Sequence, residues 1–110
     1  MFTKIQLKQI EETADKLDFS FKYTKEDNYF CFEIYSPQGQ DFVTEINANN
    51  ITELKEELHI YWSNYNPDEE AILWYGVGKG EPKSLSSLLK DMKWCKRILG
   101  MLKKEINKIK

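Results

Sequence analysis

Between Tyr29 and Asn47 apolar and polar positions alternate, with one interruption at Ser36-Pro37-Gln38-Gly39. Phe30, Phe32 and Ile34 fall on one face; Tyr29, Cys31, Glu33 and Tyr35 fall on the other. The alternation resumes with Phe42, Thr44 and Ile46 opposed to Val43, Glu45 and Asn47. Period-two patterning in aromatic and β-branched residues predicts two half-buried strands. Pro37 pre-sets φ at the second turn position and Gly39 admits a positive φ, so the interruption reads as a tight hairpin turn. Upstream, Phe19, Phe21 and Tyr23 alternate with Ser20, Lys22 and Thr24, a further strand joined through the polar turn Lys25-Glu26-Asp27-Asn28. Three strands with short links make an antiparallel meander whose apolar face carries Phe30, Phe32, Ile34, Phe42 and Ile46.

The flanking segments switch to helical spacing. Thr3 is placed to cap a helix from about Lys4 to Lys16, with Ile10, Ala14 and Leu17 as its stripe and Ile5 and Leu7 thickening it. Asn50 and Glu53 form a capping-box pair before a helix whose Ile51, Leu54, Leu58, Tyr61, Trp62 and Tyr65 lie on one continuous face. Asn66-Pro67-Asp68-Glu69-Glu70 is a second start signal, for a short helix through Ala71 to Trp74 that ends at Gly76. From Ser84 onward Leu85, Leu88, Met92, Cys95, Leu99, Leu102, Ile106 and Ile109 recur at spacings of three and four. Gly100 weakens that helix by about 1 kcal/mol relative to Ala and marks a candidate break. The expected fold is therefore α+β: an N-terminal helix, the three-stranded meander, then two or three helices on one sheet face. The last stripe outruns the sheet. Packing against the N-terminal helix is the preferred way to bury its end, which favours a monomer, with a homodimer as the rival.

Composition narrows the setting. A length of 110 residues fits one domain, residues 1–110, and 41% hydrophobic content supports a packed core rather than a disordered chain. Apolar runs are far shorter than the roughly 20 residues needed to cross a bilayer. The opening MFTKIQLKQIEE lacks the apolar stretch of a signal peptide, so a cytoplasmic location is expected. Cys31 and Cys95 are too widely separated for a metal motif and read as reduced packing residues. The net charge of −2 conceals an asymmetry, with −9 over residues 1–75 and +7 over residues 76–110.

Catalytic chemistry finds little purchase. The lone His59 lies off the main apolar stripe, with no partner that the sequence identifies, and reads as a rim histidine. GVGKG lacks the Lys-Ser/Thr ending of a phosphate loop and follows a helix, so it reads as an interhelical loop. Glu33, Asp41 and Glu45 read as the polar outer face of the sheet. Tyr61, Trp62, Tyr65, Trp74 and Tyr75 read mostly as core, with part of the group at the surface. No cofactor or metal is expected, and no enzyme.

Two charged surfaces remain. Glu53, Glu56, Glu57, Asp68, Glu69 and Glu70 are spaced for an exposed acidic region spanning two helix starts. Lys90, Lys93, Lys96, Arg97, Lys103, Lys104 and Lys108 lie on the last helix wherever its apolar stripe does not, with Trp94 interleaved. The second set has the clustered charge that binds a nucleic-acid backbone, and it also has the form of a solvated amphipathic face.

YSPQGQDF, the Asn-capped helix, Asn66-Pro67-Asp68-Glu69-Glu70 and the SLSSLLKDM helix resemble a group of small proteins carried by phages and conjugative elements of gut bacteria. The resemblance covers roughly residues 29–102. It implies a mobile-element setting, in which small single-domain proteins often block host defence, including anti-CRISPR and anti-restriction proteins; it transfers no catalytic residue. The expectation is a non-enzymatic inhibitor that binds a host defence nuclease or its complex through the acidic region. The rival is a nucleic-acid-binding accessory protein using the basic helix. Neither reading involves a membrane.

Overall fold

A computed structural model describes residues 1–76 and 84–110. Helix α1 (Lys4–Lys16) leads into strand β1 (Ser20–Thr24), a 3-10 turn (Lys25–Asp27), strands β2 (Tyr29–Tyr35) and β3 (Asp41–Asn47), and helices α2 (Ile51–Asn64), α3 (Pro67–Gly76) and α4 (Leu85–Ile106). This is the expected α+β architecture. The sheet is antiparallel in the order β1-β2-β3. Of the GVGKG segment only Gly76 is described; the loop reading of the rest lies outside the described residues.

The register pairs Phe30 with Ile46, Phe32 with Thr44 and Ile34 with Phe42. These side chains share one sheet face and all six are buried, so the period-two pattern identifies the core face correctly. Gly39, with φ of +85°, and the bond from its N–H to Ser36 O (2.9 Å) close the hairpin.

Local chemistry sets the helix ends. Thr3 and Gln6 form a reciprocal capping box, each side chain accepting from the other's backbone N–H at 3.0 Å. At α2, Asn50 Oδ1 accepts from Glu53 N (2.9 Å), while the Glu53 carboxylate reaches one residue further back, to Asn49 N (3.1 Å). Helix α1 ends in a Schellman arrangement, with Phe19 N bonded to Ala14 O (2.9 Å) and Asp18 N to Asp15 O (3.0 Å). Asp18 therefore sits at φ +67°, a conformation that favours glycine.

Helix α4 runs unbroken through Gly100. From Leu88 to Ile109 its stripe is buried, while Leu85 is exposed. Its far end packs against α1, where Ile10 and Ala14 are fully buried, Lys16 Nζ meets Glu105 Oε1 at 3.4 Å and Gln6 Nε2 donates to Lys110 O (3.1 Å). Ile5 does not thicken the α1 stripe; it is 71% exposed, because five residues from Ile10 is about 140° around the helix. In α3 the consecutive run Ala71 to Trp74 cannot all face inward for the same reason. Ala71 is buried and Trp74 half-buried; Ile72, Leu73 and Tyr75 are exposed. Cys95 is a buried free thiol, whereas Cys31 is a half-buried one on the outer sheet face, opposite Glu45.

Candidate functional site

Strand β3 is an edge strand, and its hydrogen-bonding geometry follows from the turn. Ser36 N bonds Gln40 O (2.8 Å) and Ala48 N bonds Asn28 O (3.0 Å). Because hydrogen-bonded pairs alternate in an antiparallel ladder, Phe42, Thr44 and Ile46 turn their backbone groups to β2. The N–H and C=O groups of Asp41, Val43, Glu45 and Asn47 face outward instead. Tyr61 confirms the direction, since its hydroxyl donates to Val43 O (3.2 Å). Among the described residues nothing accepts from the four outward N–H groups.

A groove of about 1050 Å³ runs along this edge. One wall is β3; the other is the α2 stripe Glu57, Ile60, Tyr61, Asn64 and Tyr65, with Glu70 and Trp74 of α3. Asp41, Glu45, Glu57 and Glu70 are all at its lining, and no Lys or Arg is among its described lining residues. Tyr65 anchors the floor: its ring meets Phe42 edge-on at 5.3 Å and its hydroxyl donates to Met92 Sδ (3.2 Å). Burial raises the Tyr61 and Tyr65 phenols above their usual range and pushes the Cys95 thiol up to about 12, with the Asp91 charge adding to the last effect. On the sheet's outer face the Asp41 carboxylate beside Glu33 raises Glu33 above the usual carboxylate range. Desolvation, with Cys31 and Glu45 beside it, pushes the Tyr29 phenol up to about 12.

The six acidic residues singled out by sequence separate into distinct environments. Glu57 and Glu70 come together at the groove; Glu70 also accepts from Trp74 Nε1 (3.2 Å). Glu53 is held at the start of α2 by its bond to Asn49 N. Glu56, Asp68 and Glu69 are exposed, the last two on the first turn of α3, where Asn66 Oδ1 accepts from both their N–H groups (3.0 and 3.4 Å). None of the six forms an ion pair with a described residue. Asp41 and Glu45, read from sequence as outer-face residues only, complete the acidic lining.

The basic set also divides. Lys96 and Lys103 both lie over the Trp62 indole, 4.9 and 5.1 Å from its centroid, and Lys96 Nζ donates to Tyr65 O (2.8 Å) at the end of α2. Lys90, Lys93, Arg97 and Lys104 occupy one exposed stripe and make no ion pair with a described residue. Lys108 is bonded to Glu105 (2.7 Å).

One buried polar pair escaped the sequence reading. Ser36 Oγ donates to Asp91 Oδ2 (2.5 Å) and accepts from Gln40 N (2.8 Å), and Gln38 Nε2 donates to Ser87 O (3.1 Å). The YSPQGQDF turn is thus fastened to the first turns of α4. Asp91 lies three residues after Leu88 and four before Cys95, so its spacing alone places it on the buried face. His59 sits on the exposed side of α2, 3.4 Å from Ser63 Oγ and with its ring 6.2 Å from Trp62. Among the described residues no cluster of three or more His, Cys, Asp or Glu is arranged to hold a metal ion, and no helix is long and apolar enough to cross a membrane. Comparison with protein-family models, with curated proteins and with solved structures gave no match in any of the three.

Proposed function

We propose that this chain is a non-enzymatic protein-binding module that blocks a nucleic-acid-targeting effector of bacterial host defence. It acts in the cytoplasm of the host cell, as a monomer, by presenting its acidic surface to a Lys/Arg groove that normally holds phosphates. The observation that carries this reading is the absence of described ion pairs for Glu53, Glu56, Glu57, Asp68, Glu69 and Glu70, in a chain with sixteen basic residues. Carboxylates without a paired cation gain from displacing counterions at a basic groove, as a nucleic acid does. The monomer is supported by the covered end of the α4 stripe, which α1 buries within one chain. Reversing charge at Glu56, Glu57 and Glu69 tests the proposal. Inhibition of the effector's nucleic-acid cleavage should fall by orders of magnitude while the fold is retained; unchanged inhibition excludes the acidic surface as the site.

The exposed stripe Lys90, Lys93, Arg97 and Lys104 supports a second reading, a nucleic-acid-binding accessory protein of a mobile element. Four phosphate contacts imply that log affinity falls with log salt at a slope of roughly −3.6. A gel-shift series across salt concentrations, with and without Lys93→Glu and Arg97→Glu, measures it; a flat series excludes this reading.

A further inference from the structure

We infer that the groove along β3 is a strand-addition site for an extended, lysine- or arginine-rich segment of a partner protein. This rests on the protein-binding reading above and deepens it by naming the kind of segment and its mode of binding.

Two independent features define the occupant. The first is the backbone. Asp41, Val43, Glu45 and Asn47 direct their N–H and C=O groups out of the sheet, and no described residue accepts from those N–H groups. An added strand satisfies such an edge through main-chain hydrogen bonds, which give affinity without demanding a particular sequence. The second is charge. Asp41 and Glu45 stand on the strand, Glu57 and Glu70 on the facing helices, and no described cation lines the groove. Alternate side chains of an added strand point to opposite faces. Carboxylates therefore await both sets, Asp41 and Glu45 on the outer face and Glu57 and Glu70 on the helix side. Ile60, Tyr61 and Trp74 offer apolar and aromatic surface for the stems of Lys and Arg. The same carboxylates oppose pairing of two β3 edges, since like charges set across from each other repel.

Tyr61 has a particular place in this scheme. Its hydroxyl occupies the outward acceptor Val43 O (3.2 Å), the position that an incoming strand's N–H takes. Tyr61 fills one rung of the ladder until the partner displaces it.

The test uses the full chain and a short blocked peptide of alternating lysine and valine, beside a version N-methylated at alternate residues. N-methylation removes the amides that face β3 and leaves the charge intact. Binding is followed by amide-resolved NMR with hydrogen exchange. The expected result is slowed exchange at Val43 and Glu45 on adding the first peptide, and affinity at least about tenfold lower for the methylated one. Tyr61→Phe, which frees Val43 O, should tighten the unmethylated peptide. If both peptides bind equally without protecting these amides, strand addition is overturned while the acidic-surface reading stands. If neither binds, strand addition is likewise overturned, and the charge-reversal experiment decides the broader reading by itself. If Val43 and Glu45 are already protected in concentrated protein alone, a second copy occupies the edge and the proposal fails.

Discussion

The indole of Trp62 rests on Gly100: a Cβ added at Gly100 would meet Trp62 Nε1 at 3.0 Å. The glycine is a notch in α4 that lets α2 approach, which is why a residue unfavourable for helices interrupts an otherwise regular stripe. Lys96 and Lys103, a heptad apart, both lie over the same ring. Removing the indole should change the sign of the glycine's effect. In a Trp62→Ala background, Gly100→Ala should stabilise the protein by roughly 0.5–1 kcal/mol through helix propensity. With Trp62 present it should be neutral or destabilising. Urea denaturation of the four proteins of this double-mutant cycle measures the coupling; an equal gain in both backgrounds contradicts the notch.

Asp18 closes helix α1 at φ +67°. A non-glycine residue in that region is held there by the Schellman bonds of Asp18 and Phe19 against its own preference. Asp18→Gly should raise stability by about 0.5–1 kcal/mol, readable as a higher melting temperature. A decrease would mean that the carboxylate contributes more than the backbone strain removes.

The hairpin turn depends on the bond between Ser36 and Asp91. Ser36→Ala leaves a buried carboxylate without its hydroxyl donor and should destabilise by about 1–3 kcal/mol. Asp91→Asn keeps an acceptor in place and should have the smaller effect. Chemical denaturation ranks the two; the reverse order would show that Ser36 is not the main support of Asp91.

Alkaline pH probes the core beneath the groove. Cys95 holds its proton more tightly when folded, with its pKa moved from an ordinary 9.0 to about 12. The stability this contributes is fully present below about pH 9 and is lost as pH rises towards 12. Tyr65, raised by burial, acts in the same direction. The urea midpoint should therefore fall across this window, and Cys95→Ala should flatten the fall even though it lowers stability at neutral pH. A slope unchanged by Cys95→Ala would assign the alkaline transition to the tyrosines.

Most of the fold is legible in the sequence because its signals are local. Phe30, Phe32 and Ile34 announce a core face by alternation, Thr3 and Asn50 announce helix starts by their hydrogen-bonding side chains, and the stripe from Leu88 to Ile109 announces α4 by spacing. The groove is not local. Asp41 and Glu45 become groove residues only because β3 is an edge strand with α2 and α3 set alongside it. That relation is fixed by tertiary packing, and the pattern from Asp41 to Asn47 does not contain it. The same holds for the basic set. Sequence spacing puts Lys96 and Lys103 on the polar part of α4, but the nearness of Trp62, forty-one residues from Lys103, is what takes them out of the exposed stripe.

The most direct measurement is quantitative capture from a bacterial lysate at stepped salt, comparing three proteins by mass spectrometry. They are the unaltered chain, a Glu56→Lys, Glu57→Lys, Glu69→Lys variant and a Lys90→Glu, Lys93→Glu, Arg97→Glu variant. The acidic-surface account predicts a nucleic-acid-targeting protein that is retained by the unaltered chain and by the base-reversed variant. Its retention should weaken with salt and be lost from the acid-reversed variant. Retention by the acid-reversed variant together with loss from the base-reversed one would contradict the account.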